Sequence, residues 1–351
     1  MRALTIRRTS RRCGLHRPMP GSFAGLGLVL LIAGCAQNTR IVGVSPEEQV
    51  ELRTRAVNLL LRAAGSDIDV VACNAIESLV RVAPDEGLDA YREAVRSPSS
   101  LVRYAGYAAL GEVRDRQWLR RIKAGVRDPS PRVRLAAAFA ACRCGQDGYA
   151  RVLVSPLTDN PNENLRADAA YLLGRLGEAR AEKRLRAALR FPANEKSNRA
   201  TLYINAALAT LGHDDAVQQL LLYAQGNTPT RVDALLILAD LGNPAAQDVL
   251  RYALNSHQDY LETHLIAARG LGKLGIREGF DLAMRMVRYT ARHTGPDDPD
   301  QKMRMRSLAA HALGEIGDPR ALGALRELAA DPADPRLQVA ASYAICQILG
   351  D

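Results

Sequence analysis

Residues 303–332, near the C-terminal end of the chain, constrain the fold more than any other feature. The stretch predicts a helix, a Gly-Asp-Pro turn and a second helix that ends at an Asp-Pro pair. Apolar residues recur at spacings of three and four, which defines one face of an α-helix. Gly317 supplies a left-handed C-cap, and Pro319 suits the first turn of the next helix. Neither helix can bury its apolar face alone, so we expect further copies to pack against it.

Copies of this helix pair fill almost the whole chain after residue 45. Aligned on the second helix of each unit, they begin near Val70, Val102, Val133, Leu165, Ala200, Thr230, Thr263, Met305 and Leu337. Glycines close most copies, at Gly145, Gly177, Gly212, Gly242, Gly275, Gly317 and Gly350. The pattern predicts an all-α solenoid, an α-α superhelix of about nine helix pairs. Units spaced about 8–10 Å apart would give a curved rod on the order of 80 Å long.

The most regular copies start at Val102, Val133 and Leu165 and follow the pattern VRxxAAxALG. This pattern resembles the HEAT repeat, in the short form found in phycobilisome lyase-like proteins, over roughly residues 46–351. In HEAT proteins an Arg at the start of the second helix forms a ladder with Asp residues of the turns. The resemblance therefore implies a structural role for Arg103, Arg134, Arg166 and Arg306. One long step contains the Pro- and Asp-rich stretch 291–301, which we interpret as an insertion within a unit.

The positive charge of the chain is concentrated at its start. The 47 basic and 38 acidic residues give a formal charge of +9, but six arginines and no acidic residue fall in the first 34 positions, which leaves +3 for the remainder. A mixed surface of this kind does not favour a nucleic-acid partner.

The first 35 residues have the organisation of an export signal. A segment with two Arg pairs precedes an apolar run, 23–32, that is too short to span a bilayer. The run ends in Ile32-Ala33-Gly34-Cys35, which resembles the bacterial lipobox. The resemblance implies cleavage before Cys35 and attachment of a diacylglyceryl group to its thiol. An ordinary secretory signal with an incidental cysteine is the alternative, and Arg11-Arg12 partly resembles a twin-arginine export motif.

These features predict three segments: a cleaved signal peptide over residues 1–34, a lipidated cysteine and tether over 35–45, and the solenoid over 46–351. Ala36 follows the cysteine where Asp would mark retention at the inner membrane. We therefore expect a lipid-anchored protein of the cell envelope that faces the periplasm, with the outer membrane favoured over the inner.

Motifs for catalysis or metal binding are missing from the sequence. The five histidines after the signal are scattered, and the cysteines do not fall at ligand spacing. Cys73, Cys142 and Cys346 lie on second helices among apolar residues, as buried thiols do. We expect no cofactor, no metal and no enzymatic activity. The alternative is a lyase-like or other enzyme built on HEAT repeats, which a chromophore bound to the purified protein would favour.

The second helix of each HEAT unit lines the concave side of the solenoid, and aromatic and basic residues recur there. They occupy the third, seventh and eleventh positions of the repeat, with Tyr203 one residue off this stripe. Such side chains suit a protein contact because they bury much area with little loss of entropy. The predicted contact residues are Tyr104, Phe139, Arg143, Tyr171, Arg175, Tyr203, Arg269, Lys273, His311 and Tyr343. The alternative is that these rings pack between repeats. We expect a membrane-anchored scaffold that binds a protein partner through this face.

Overall fold

The computed structural model describes residues 44–177, 180–226, 230–290 and 299–350. The chain divides into two compact units, Met1–Arg40 and Ile41–Asp351, and all described residues belong to the second unit. No helix in the described ranges is long and apolar enough to cross a membrane. The predicted lipobox and Cys35 lie outside the described residues, as does most of the predicted insertion.

The described residues form nine helix pairs and no strand. The first, outer helices are α1 (Pro46–Ala64), α3 (Leu88–Ala94), α5 (Leu119–Gly125), α7 with α8 (Ala150–Val154 and Pro156–Asp159), α10 with α11 (Arg180–Leu189 and Pro192–Glu195), α13 (Asp214–Gln225), α15 (Gln247–Asn255), α17 (Phe280–Met286) and α19 (Leu322–Ala330). The second, inner helices are α2 (Asp69–Val82), α4 (Ser100–Glu112), α6 (Pro131–Arg143), α9 (Glu163–Leu176), α12 (Asn198–Thr210), α14 (Arg231–Leu241), α16 (Leu261–Lys273), α18 (Pro299–Ile316) and α20 (Pro335–Leu349). The predicted all-α solenoid of about nine pairs is confirmed.

Local sequence signals fix where the helices begin and end. Ser45 caps α1 in a capping box with Glu48, as the Ser-Pro-Glu-Glu sequence predicts. The seven predicted closing glycines all have positive φ, for example 73° at Gly177. At the end of α4 the corresponding residue is Arg114, with φ of 55°, and it is the one non-glycine residue of the described ranges in this conformation. A side chain is strained there because its Cβ crowds the backbone.

The predicted arginine ladder is present between consecutive units. Each ladder arginine donates to one or two backbone carbonyl oxygens of its own unit, as Arg134 does to Asp128 O and Pro129 O. Most of them also pair with a side chain in the turn of the next unit, through hydrogen bonds from Arg103, Arg166 and Arg231 and through a looser ion pair of 3.9 Å from Arg306. Arg103, for instance, donates to Ser97 O at 3.0 Å and to both carboxylate oxygens of Asp128 at 2.9 and 3.0 Å. Arg231 belongs to the ladder as well, although the sequence did not indicate it. The pairs are Arg103–Asp128, Arg166–Asn194, Arg231–Asp259 and Arg306–Asp331.

Small residues let the inner helices approach closely. A Cβ placed on Gly111 in α4 would lie 2.8 Å from Ala140 Cα in α6, so only glycine permits this contact. Alanines such as Ala136 and Ala137 are fully buried in the same layer. The buried apolar residues form two clusters that each span several units, and the low aromatic content of the chain follows from this tight spacing.

The two ends of the helix array meet. Helix α20 packs against both α1 and α2, and one core cluster includes residues from the first three and the last three units. Arg53 on α1 donates to Val82 O at the end of α2, at 3.0 Å, and to Gly350 O after α20, at 2.8 Å. The expected open rod is therefore wrong. Nine units that turn by about 40° each complete a circle, and this rotation cannot be read from a repeat motif.

Candidate functional site in the central cavity

The inner helices surround a cavity of about 1090 Å³ at the centre of the closed array. Its walls come from units on opposite sides, from Arg81 on α2 to Leu236 on α14 and Tyr343 on α20. Both charged and apolar side chains reach it, and the apolar part includes Leu236, Ile237 and several alanines. This volume is slightly larger than the range for small-ligand pockets, roughly 300–1,000 Å³.

Six of the ten predicted contact residues line this cavity: Tyr171, Arg175, Tyr203, Arg269, Lys273 and Tyr343. A seventh, His311, packs beside the cavity with its ring centroid 5.5 Å from that of Tyr343. Because these residues come from units four to nine, closure of the array brings together side chains that are far apart in the sequence. Their role in binding stays a prediction.

The remaining three predicted residues have packing contacts instead. Phe139 is fully buried, since its ring fills the space next to Gly111. No partner can reach it, so its assignment as a contact residue is wrong. Tyr104 is half-buried, with the Arg132 guanidinium 5.4 Å from its ring centroid. Arg143 is also half-buried and lies 3.7 Å from Glu112.

Acidic partners of the basic residues are the part of the site that sequence reasoning missed. They occupy the eleventh repeat position, the position that also supplies Arg143, Arg175 and Lys273. A search of the eleventh repeat positions for polar and charged residues of every kind would have found them. The missed acidic residues are Glu112, Asp240 and Glu315, and the neutral Gln347 occupies the same repeat position.

The basic and acidic residues form ion pairs across neighbouring inner helices. Arg175 donates to Glu112 at 2.8 Å, although the two lie two units apart. Arg269 donates to Asp240 at 2.6 Å and lies 3.8 Å from Glu315. The Lys273 ammonium donates to the backbone oxygen of Asp240. Inner helices two units apart can be bridged because they converge toward the centre, and the charges in the cavity largely compensate one another.

The junction between the last and first units also carries polar contacts. Tyr343 on α20 accepts a hydrogen bond from Gln347 at 2.6 Å and lines the cavity together with Arg81 on α2. Arg81 lines the cavity, and Glu77 lies one turn earlier on the same helix. This network joins the two ends of the array inside the site.

Two polar atoms beside the cavity are buried and have no hydrogen-bond partner among the described residues: Nδ1 of His311 and Nε of Arg269. Burial, with the nearby Arg269 and Arg81 charges, lowers the pKa of His311 to about 3, so its ring is neutral at physiological pH. A buried polar atom without a partner is costly, and a bound group or water that satisfies it is stabilised.

Ionisable groups that face the cavity have shifted pKa values because they are enclosed on several sides. Burial raises the pKa of Glu77, and Asp240, from the sixth unit, adds to this effect. Burial also lowers the pKa of Lys273 and raises that of Tyr171. Shifts of this kind occur in binding cavities as well as in active sites. The described residues that line the cavity include no serine or cysteine, and no group of three metal-ligating side chains occurs in the described ranges.

Fold and site together define a helical-repeat protein with a polar central cavity. Residues 56–141, 119–202 and 296–346 match the family of HEAT repeats. These ranges cover more than half of the chain, so the chain belongs to the HEAT-repeat family, as the VRxxAAxALG pattern predicts.

No curated protein matches the sequence. Among solved structures, similarity is found to the complex of CpcE and CpcF of phycocyanin lyase from Nostoc sp. PCC7120, with 19% identity, a TM-score of 0.40, and coverage of 71% of this chain and 93% of the other. Human deoxyhypusine hydroxylase in complex with glycerol is similar with 17% identity, a TM-score of 0.36, and coverage of 77% and 98%. An engineered protein is similar with 17% identity, a TM-score of 0.32, and coverage of 86% and 94%. TM-scores below 0.5 carry no inference about function.

Proposed function

We propose that this chain is an exported, lipid-anchored scaffold that binds a protein partner in the central cavity. The observation that carries the binding part is the convergence of rings and charges from seven units on one cavity of about 1090 Å³. The anchor rests on the Ile32-Ala33-Gly34-Cys35 sequence alone. The protein would face the periplasm from the outer membrane in preference to the inner one.

Closure of the array limits the form of the partner. An open concave groove would accept a folded domain, whereas this cavity accepts a short segment, such as a chain terminus or an extended loop. Charges of both signs suit such a segment, since its backbone and side chains offer both donors and acceptors. Tyr171, which is 42% exposed, is positioned to cover the apolar part of the occupant.

The binding part is tested by crosslinking and affinity recovery of the tagged protein from membranes, with mass spectrometry to identify what is recovered. Tyr171→Ala should reduce recovery of the partner by about tenfold, the effect of losing one strong anchor of 1–2 kcal/mol. Tyr252→Ala is the matched control, because Tyr252 is 64% exposed on the outer helix α15. Equal recovery with both variants would show that the cavity does not hold the partner.

The anchor is tested separately by metabolic labelling with a fatty acid. Cys35→Ala should abolish the label and leave an uncleaved precursor. Labelling that persists in this variant would exclude the lipoprotein assignment without affecting the binding experiment. A chromophore bound to the purified protein would instead favour the lyase-like alternative.

A further inference from the structure

A basic surface on the outside of the array is separate from the central cavity. Two adjacent pockets of about 480 and 760 Å³ lie along α5 and α7 and share Arg120. We call their six cationic residues the basic outer patch: Arg96, Arg120, Arg121, Lys123, Arg127 and Arg151. Among the described residues, no carboxylate lines either pocket.

The charge of this patch is large relative to the rest of the chain. Residues 114–127 contain six basic residues and one acidic residue, a formal charge of +5, which exceeds the +3 of everything after residue 34. The acidic groups at its edges are engaged elsewhere, since Asp115 pairs with Arg92 at 2.9 Å and Asp128 with Arg103 at 2.9 Å. Glu93 neutralises only Arg96. Arg186 on α10, outside the patch, is by contrast neutralised twice, because both Glu182 and Asp215 accept hydrogen bonds from it at 2.8 Å.

The single tryptophan of the chain, Trp118, lies in this patch. It is half-buried, and the guanidinium groups of Arg96 and Arg92 lie 5.1 and 5.6 Å from the ring centroid. Tryptophan next to several cations is typical of surfaces that contact the headgroup region of a bilayer, where the ring sits between apolar and wet surroundings.

The patch lies on the outer side of the second to fourth units, with Trp118 at the start of α5 and Arg127 just after its end. The turn Arg116–Trp118 directly precedes α5. From Cys35 to Val44 the chain has nine residues, which reach at most about 30 Å.

We infer that the basic outer patch binds anionic phospholipid headgroups, with Trp118 at the interface, and so holds the array against the membrane. The choice of a membrane over another anionic partner rests on the proposed lipid anchor. Each basic residue near an anionic surface adds attraction, and salt screens it.

The test uses residues 36–351, which contain the whole compact unit with its own core and lack Cys35. The protein is mixed with vesicles of phosphatidylcholine alone or with phosphatidylglycerol, and Trp118 emission and co-sedimentation are recorded. We expect binding and a blue shift only with phosphatidylglycerol, both reversed by salt. Since this chain cannot be lipidated at Cys35, the result is independent of the labelling experiment.

Two double variants of equal charge change complete the test. Arg120→Glu with Arg121→Glu should weaken vesicle binding by at least about tenfold, from the loss and reversal of two charges. Arg285→Glu with Arg288→Glu changes exposed positions on the opposite side of the array. This pair should leave vesicle binding close to that of the unchanged protein. Equal weakening by both pairs, or vesicle binding without a change in Trp118 emission, would overturn the proposal. A shift with poly-glutamate but not with vesicles would replace the membrane with an acidic protein partner.

Discussion

The junction between the two ends of the array gives the sharpest prediction, through Arg53. Its guanidinium donates to Gly350 O at 2.8 Å and to Val82 O at 3.0 Å, at the C-terminal ends of two helices. Hydrogen bonds from a charged donor are worth about 1.5–3 kcal/mol when buried, and partial exposure lowers this to about 1 kcal/mol each. Arg53→Met keeps the aliphatic stem and removes both bonds. We therefore expect the free energy of opening this junction to fall by about 2 kcal/mol.

Hydrogen exchange followed by mass spectrometry measures this effect where it occurs. A loss of 2 kcal/mol corresponds to about thirtyfold faster exchange. The acceleration should appear in both α2 and α20, about 270 residues apart in the sequence, and not in α12 on the far side. Arg55→Met is the control, because Arg55 is exposed and pairs only with Glu51 on its own helix among the contacts seen here. Faster exchange in α2 alone would contradict this account of the junction. So would an Arg53→Met effect no larger than that of Arg55→Met.

Three further predictions concern the core, a cap and the cavity. Ala312→Asp places an unpaired charge at a fully buried position of α18 and should cost at least about 3 kcal/mol; hydrogen exchange should show damage confined to α18 and its neighbours, and uniform loss across the array would contradict nearest-neighbour packing. Arg114→Gly relieves a strained positive φ and should raise the free energy of urea unfolding by about 1 kcal/mol, an expectation that an unchanged midpoint would refute. His311 has a folded pKa of about 3, below the usual 6.5, so the unfolded chain binds the proton first and stability falls as pH drops from 6.5 toward 3. His311→Gln should flatten this slope by up to about 1.4 kcal/mol per pH unit, and superimposable pH profiles would show that the ring is not buried in its neutral form.

Helix type, unit number and helix boundaries could be predicted from the sequence because each depends on local signals. The left-handed glycines and the capping box at Ser45 act within one or two turns. Closure depends instead on the sum of many small rotations between units, and no residue within a single repeat encodes that sum. The contact between Arg53 and Gly350 is therefore visible only in the folded array.

The candidate site was predictable in part for the same reason. The repeat register placed Tyr171 and Lys273 on the inner face correctly, because that depends only on helical periodicity. It did not distinguish Phe139, which occupies the same register position as Tyr171 and is buried because Gly111 leaves room for its ring. The acidic residues such as Asp240 were missed because aromatic and basic residues alone were considered.

Contact between the first and last helices has a consequence for how this chain can change during evolution. An open repeat array gains or loses a unit by duplication or deletion, since only its length alters. In this chain an added or deleted unit would change the total rotation and separate α1 from α20. We expect natural length variation to fall in the turns, and unit number to stay fixed. Contact between α1 and α20 also means that the two ends of the array could be joined by a linker and the array reopened between other units, as a circular permutant with the same nine pairs.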